Sequence, residues 1–266
     1  MYKREIKQFI WKLSVLVNSH LPVYLRRNYQ NILLNKLKIF TDIKNKKIMI
    51  LGFGEGKEIG QFFDYGAKMI VGVEPYPVKK KNLFGEKFKL VKAFGEKLPF
   101  ADNSFDIVYS IATLEHVRSP ISVVKEMMRT LKPGGIFFCQ AGPLWNSYDG
   151  YHPKKEYPLL NQDWFHLTKS EEEVLKNIHS DEKKYYHQHL DRIYKSKSYN
   201  RLDARVYYEA CSWLIEKYTP LEISFYFSEG KFKNLTKEKN ETNTLMLKKY
   251  GYRELVTRSF LWIFKK

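Results

Sequence analysis

Gly52, Gly54 and Gly56 stand at alternate positions directly after the apolar run Ile48-Met-Ile-Leu51. Glycine reaches positive φ at little cost and lets a ligand approach the main chain, so this spacing suits a cradle for a nucleoside. Further along, Glu74-Pro75 closes a second apolar run, residues 69–73, twenty residues beyond Gly54. In a doubly wound sheet a carboxylate there accepts the two ribose hydroxyls of a bound nucleoside. An ordinary glycine turn and a solvated strand-end acid are the competing readings of these two features. A dinucleotide fingerprint, G-x-G-x-x-G, needs its third glycine one residue later, where Lys57 stands, and the spacing therefore argues against NAD.

These groups have to be positioned by particular elements. Residues 48–51, flanked by Lys46-Lys47 and by glycine, read as a parallel strand buried on both faces. Residues 58–65 read as a helix whose N-terminal amides point at the site. A fourth strand is expected over 105–109 and a helix over 120–131, with apolar residues at 121, 124, 127, 128 and 131. Pro133-Gly134-Gly135 then stops that helix and turns the chain into a fifth strand, 136–139. Ligands in such sheets bind outside the carboxyl ends of the strands, and residues 52–56, 74, 95–96 and 110–116 all fall there.

Three further runs follow in order: Leu98-Pro-Phe-Ala-Asp-Asn-Ser-Phe-Asp-Ile-Val-Tyr-Ser110, Leu114-Glu-His-Val117 and Leu131-Lys-Pro-Gly-Gly-Ile136. With the glycine loop and Glu74, this ordered set resembles the class I S-adenosylmethionine-dependent methyltransferases, type 11-like, over roughly residues 46–142. The resemblance implies an α/β, Rossmann-like, doubly wound seven-stranded mixed sheet. It implies S-adenosyl-L-methionine as cofactor, with S-adenosyl-L-homocysteine as product, held by Gly52, Phe53, Gly54, Gly56, Glu74, Pro75, Gly95, Glu96 and Ser110. Two departures stand out. Ile50 replaces the acid usually found two positions before the first glycine, and Phe94 stands where an aspartate often holds the adenine amino group. Adenine is therefore assigned to backbone around Gly95 with Glu96 beside it, and Phe94 is either an adenine-packing surface or core.

The implied chemistry is in-line displacement at a sulfonium methyl by a nucleophile of the acceptor. Alignment of the reactants can supply roughly 7 to 11 kcal/mol. A sugar hydroxyl would also gain about 10²- to 10⁴-fold from a positioned base, for which His116 is the first candidate and His152 and His166 the next. A packing or capping role is the competing reading of His116. An anionic oxygen would need no base. The lysine-rich chain, N-terminal helices and aromatic insertion are similar to methyltransferases of bacterial surface-polysaccharide (capsule) pathways, implying O-methylation of a small anionic or sugar-type acceptor.

Around the core, residues 1–45 are expected as an N-terminal helical lid, 46–142 as the cofactor-binding core, 143–220 as a substrate-side loop and helical insertion, and 221–266 as C-terminal strands completing the sheet. An aromatic-rich loop over 142–165 carries Trp145, Tyr148, Asp149, Tyr151, His152, Trp164 and Phe165, with His166 next. Helical patterns follow at 169–178, 182–194 and 202–218. Strand six is expected at 221–227, an exposed polar stretch at 231–243, a helix at 245–250, and a last strand or hairpin at 252–264.

The net charge of +17 invites a polynucleotide partner, but lysine outnumbers arginine 36 to 10 and the clusters Lys79-Lys80-Lys81, Lys154-Lys155 and Lys183-Lys184 are short and dispersed. A small-molecule acceptor is favoured over nucleic acid. The stripe Ile6, Phe9, Ile10, Leu13, Leu16 and Val17 reads as a helix on the core in preference to a membrane-surface contact. Cys139 and Cys211, one in a strand and one in a helix, give neither a disulfide framework nor metal-ligand spacing, which suggests a reducing, cytoplasmic setting. His187-Gln-His189 puts its imidazoles on different helix faces, and no metal site is expected. The rival classes are an RNA methyltransferase, an NAD-dependent oxidoreductase and a non-catalytic cofactor-binding module.

Overall fold

A computed structural model describes residues 29–266, apart from 55, 57, 78–84, 154–156, 158, 159, 161, 238 and 239. The apolar stripe within 1–28, Lys57, Lys79-Lys80-Lys81 and Lys154-Lys155 lie outside the described residues. Seven strands form one sheet: β1 (Lys47–Leu51), β2 (Met69–Val73), β3 (Phe88–Val91), β4 (Phe105–Ile111), β5 (Leu131–Ala141), β6 (Thr219–Phe227) and β7 (Thr257–Lys265). Their order is β3-β2-β1-β4-β5-β7-β6. The first five strands run parallel, and β7 runs antiparallel between β5 and β6. The expected seven-stranded mixed Rossmann-like sheet is present.

The helices are α1 (Tyr29–Phe40), α2 (Ile59–Asp64), α3 (Pro120–Thr130), α4 (Phe165–Thr168), α5 (Glu171–Lys176), α6 (Ser180–Tyr194), α7 (Ala204–Lys217), α8 (Glu229–Lys237), α9 (Glu241–Lys249) and α10 (Tyr252–Val256). Alternation along β1 divides them between the faces, because successive side chains of a strand point to opposite sides. Ile48 and Ile50 meet Leu33, Leu34 and Leu37 of α1 and Phe62 of α2. Met49 and Leu51 join Val123, Val124 and Met127 of α3 and Tyr207 and Leu214 of α7. Ile50 is thus a core residue, 1% exposed.

Several expected boundaries change. The 202–218 helix belongs to the core and not to the insertion: Ala204, Tyr207, Ala210, Cys211 and Leu214 form one buried face. Each fully buried Leu-sized side chain is worth about 1.5–3 kcal/mol, so this stripe outweighs the polar residues between its members. The insertion proper is α4 to α6, which close a small core of their own through Phe165, Val174, Ile178, Leu190 and Ile193. The polar 231–243 stretch is largely helical, and 252–256 is α10 and not strand. There Leu235, Met246 and Leu255 gather on Trp164, a tertiary contact that β-type alternation does not reveal. Pro133-Gly134-Gly135 lies within β5 as an irregularity, with Leu131 opposite Phe105 and Ile136 opposite Ile107. Lys266 holds it: Gly134 N–H donates to Lys266 O at 2.8 Å, and the Lys266 ammonium donates to the carbonyls of Met128 in α3 and Leu131 at the start of β5, at 2.7 and 2.6 Å.

The loop before β4 is fixed by one side chain. Arg129 donates to both Glu126 oxygens (2.8 and 2.9 Å), to the Phe100 and Leu98 carbonyls (2.7 and 3.1 Å) and to Asp102 (2.8 Å). Replacing Arg129 with Ala should cost about 2 kcal/mol, since charged hydrogen bonds contribute about 1.5–3 kcal/mol each and part of this group is solvated. The check is urea unfolding, in which the midpoint should fall without a change in slope.

Candidate active site

The glycine loop leaves β1 and is tied to β2. Gly52 and Phe53 N–H groups both donate to Val73 O, at 3.0 and 3.2 Å, and Gly56 N–H donates to Phe53 O at 2.8 Å. Gly52 has φ +73°, and a Cβ there would lie 1.9 Å from Thr113 Oγ1. Gly54 has φ +50°, and its Cβ position is open, with Gly52 O at 3.9 Å the nearest atom. Its N–H donates to Glu74 Oε2 at 3.2 Å, so the loop and the acid expected to bind ribose face one another at the ends of β1 and β2. Pro75 is half-buried beside them.

Other expected contacts are corrected by where the side chains go. Phe53 turns into the core, 2% exposed and stacked on Phe88 at 5.3 Å, leaving only its main chain at the loop. Ser110 is fully buried and donates to Leu51 O at 3.2 Å, so it joins β4 to β1 and does not present a hydroxyl to a ligand. Glu96 Oε1 accepts from the N–H groups of Arg118 (2.9 Å) and Ser119 (3.2 Å), at the start of α3. Gly95 is buried against Leu51 and Val123, with room for main chain only. Phe94 is not core: it is 53% exposed, edge-on to the 67% exposed Tyr76 at 6.4 Å, with Arg118 5.9 Å from its ring centre.

A second group of residues gathers beyond β4. Leu114–His116 form a single 3₁₀ turn, strapped by the segment between α6 and α7. Asn200 donates from its amide to Leu114 O (2.9 Å), Val117 O (3.0 Å) and Tyr207 OH (2.8 Å), and from its N–H to Glu115 O (3.2 Å). Glu115 is 3% exposed. Its Oε1 accepts from Gly142 N–H at 3.0 Å, while Oε2 is buried without a partner among the described residues. Burial pushes this carboxyl up to about 8.

The structure brings His116 and His152 together, with ring centres 5.3 Å apart and Tyr199 beside both. His116 Nδ1 donates to Ser198 O at 2.5 Å. The His152 ring, on a residue at φ +55°, donates to Pro143 O, and its Nε2 is buried with no partner among the described residues. Burial first, then the neighbouring His116 and Arg192, push His152 down to about 3. Burial and Arg192 also lower His116, so both rings are uncharged at neutral pH. The Arg192 guanidinium stands over Tyr199 at 5.3 Å, and Trp145 closes on Tyr199 at 5.5 Å.

His166 stands apart from this pair. Its Nε2 donates to Trp145 O at 2.5 Å and its ring meets Trp145 edge-on at 4.5 Å, so it supports the 145 loop. Most of the other loop aromatics are likewise structural. Tyr151 donates to the Leu160 and Gln162 carbonyls, Trp164 to the Asn146 carbonyl, and Asp149 pairs with Arg258 at 2.8 Å. The sequence placed 110–116 at the site but gave Thr113 and Glu115 no part of their own, and it passed over Arg192 and Tyr199. Glu115 had a local signal, its place beside His116, whereas Arg192 and Tyr199 meet the site only across long stretches of chain. His187 and His189 stay outside it: His189 stacks on Tyr157 at 4.5 Å, and His187 lies among Glu171 and Lys195 near the surface.

Known proteins provide an independent comparison. The model of a methyltransferase domain matches residues 49–139. That segment is a class I S-adenosylmethionine-dependent methyltransferase domain. The chain is 34% identical over 127 residues to the sterol 4-C-methyltransferase strm-1 of Caenorhabditis elegans, covering 44% of this chain and 37% of that one. It is 29% identical over 141 residues to the tRNA U34 carboxymethyltransferase of Hydrogenovibrio crunogenus, covering 47% and 41%. The chain thus spans about two fifths of the length of these curated relatives. An S-adenosylmethionine dependent methyltransferase from Mesorhizobium loti shares the fold, with TM-score 0.50 and 14% identity over 89% of this chain and 96% of that one.

The methyltransferase domain fits its cofactor where the main chain does the work. The open Gly54 position, the Gly54–Glu74 contact and the exposed Tyr76–Phe94 pair lie at adjoining strand ends. Replacing Glu74 with Ala should raise the dissociation constant for S-adenosylhomocysteine about tenfold or more in calorimetric titration. The buried His166 offers a pH test. Burial depresses it from 6.5 to about 4, so the unfolded chain binds the extra proton first and stability contributed above pH 6.5 is lost as pH falls toward 4. Replacing His166 with Gln should flatten the stability curve over that window, measured by urea midpoints at fixed pH values.

Proposed function

We propose that the chain transfers the methyl group of S-adenosylmethionine to an oxygen of a small anionic or sugar-type acceptor, the kind of step used in capsule or other surface-polysaccharide synthesis. The observation that carries this reading is the uncharged pair His116 and His152, set with Arg192 around Tyr199, only a few residues beyond the Thr113 that packs on the glycine loop. Bound S-adenosylmethionine supplies a methyl group already activated on a sulfonium. The glycine loop and Glu74 hold its nucleoside, and Tyr76 and Phe94 flank the base.

The other side of the site receives the acceptor. Trp145 and Tyr199 offer ring faces suited to a sugar, and Arg192 offers positive charge to a phosphate or carboxylate. His116 and His152 each have one ring nitrogen committed to a main-chain carbonyl, which fixes the ring and leaves the other nitrogen to deal with the proton of an acceptor hydroxyl. Alignment supplies the larger share of the rate, on the order of 7 to 11 kcal/mol in favourable cases.

The net charge of +17 and the tRNA-modifying relative favour a second reading, an RNA acceptor. The expectation that nucleic acid is not a partner draws no support from these relatives. Among the described residues no helix is long and apolar enough to cross a membrane. Two measurements separate the readings. S-adenosylhomocysteine should raise the melting temperature and NAD should not; the reverse pattern would sink the cofactor assignment. With labelled cofactor, methyl groups should pass to phosphorylated or nucleotide-linked sugars and not to bulk tRNA. Transfer to tRNA, with binding that weakens steeply as salt rises, would replace the small acceptor by RNA.

A further inference from the structure

Glu115, His116 and His152 form a group that no single stretch of sequence announces. One ligand-type atom from each lies within 4.8 Å of the other two. We infer that these three side chains bind a divalent transition-metal cation of the zinc or manganese kind, which engages the acceptor hydroxyl. The inference rests on the methyltransferase reading and sharpens the way in which the two imidazoles handle the acceptor proton.

Three observations carry it. The donor set, two imidazoles and one carboxylate, suits zinc, manganese or ferrous iron, whereas magnesium and calcium prefer all-oxygen sets. The supporting bonds are those of metal-binding histidines. Each ring gives one N–H to a main-chain carbonyl, Ser198 for His116 and Pro143 for His152, which fixes the tautomer and leaves the other nitrogen as a lone-pair donor. Most telling are two unpartnered atoms in one place. Glu115 is 3% exposed and its Oε2 has no hydrogen-bond partner among the described residues, and His152 Nε2 is equally orphaned. Buried polar atoms are nearly always satisfied, so two adjacent orphans point to a missing partner. A cation that displaces the Glu115 proton takes a lone pair from each; another hydrogen-bond acceptor does not.

The geometry asks little more of the fold. Metal bonds of about 2.0–2.2 Å place tetrahedral ligand atoms about 3.4 Å apart, so side-chain shifts of about 1 Å complete the set. Three protein ligands leave a position open, as catalytic sites do. There the cation polarises the acceptor O–H. The proton leaves to solvent, the O–C bond forms as the S–C bond breaks, and the departing sulfur keeps the electron pair and loses its positive charge. The other Glu-His-Asp group, Glu171, His187 and Asp191, differs in kind: the Lys195 ammonium already sits on Glu171 and Asp191 at 2.8 and 2.9 Å.

The test uses untagged full-length protein stripped with a chelator, reloaded with Zn²⁺ or Mn²⁺ alone, desalted and assayed for metal by mass spectrometry. About one equivalent per chain should remain, and calorimetry should show His152→Ala and Glu115→Gln weakening binding at least tenfold, with Asp191→Asn unchanged. Circular dichroism melts check that each variant is folded, and His152→Ala, at a partly exposed residue, stands if the Glu115 variant does not fold. Retention below a tenth of an equivalent, or wild-type retention in His152→Ala, overturns the metal site. S-adenosylhomocysteine titrations of the same samples keep the two readings apart. Cofactor binding without metal removes only the cation, and metal binding without cofactor removes the methyltransferase reading.

Discussion

Everything at the site depends on one main-chain acceptor, the carbonyl of Leu51 at the end of β1. The Ser110 hydroxyl donates to it at 3.2 Å, and the Thr113 hydroxyl divides its hydrogen bond between it, at 3.3 Å, and Ile111 O, at 3.0 Å. The last residue of β1 is thereby joined to the exit of β4, and the glycine loop is tied to the turn that carries Glu115 and His116. The joint closes only because residue 52 lacks a side chain: Thr113 fills the space that a Cβ would take. Gly52 therefore serves two ends, a positive φ for the loop and an opening for Thr113, just beyond the neighbouring strand.

The acceptor side is assembled in a different way. The 3₁₀ turn at 114–116 is short and would have little stability alone, and its carbonyls are satisfied from far along the chain by Asn200. Ser198 and Tyr199, in the same segment, fix and flank the imidazoles. Helices α4 to α6 pack among themselves, and the strap is tied to this module by Tyr199, which donates to Tyr151 O, and Arg201, which donates to Ile193 O. The strap thus belongs to an added module, while the glycine loop is built into the sheet. The family model for a methyltransferase domain matches 49–139, which holds the glycine loop and the turn at 114–116 and stops short of the strap.

Much of the architecture was legible because it is written in local patterns. Short apolar runs at 48–51, 69–73 and 105–109 are buried on both faces, as a parallel sheet requires, and the glycine loop and Glu74 follow from where those runs end. The C-terminal third was not legible in this way. Leu235, Met246 and Leu255 lie in three separate helices and share one neighbour, Trp164, so no window of sequence displays their common face. α7 was readable as a helix but not as a core helix, because an amphipathic stripe does not say which surface it covers.

The sequence by itself determined the residue types that the cofactor's nucleoside needs: glycines where backbone must come close, a carboxylate one strand away, and apolar runs that force both to the same edge. It also showed, through Ile50 and Phe94, that the usual acids are missing there. Only the tertiary structure decided which histidines lie together. His116 and His152 are thirty-six residues apart and meet because β4 and β5 run parallel side by side and end at the same edge, while His166, equally plausible as a residue type, is turned onto Trp145. The reason is physical. A strand's burial is set by its own alternation, whereas the position of an imidazole is set by contacts among segments that share no local pattern.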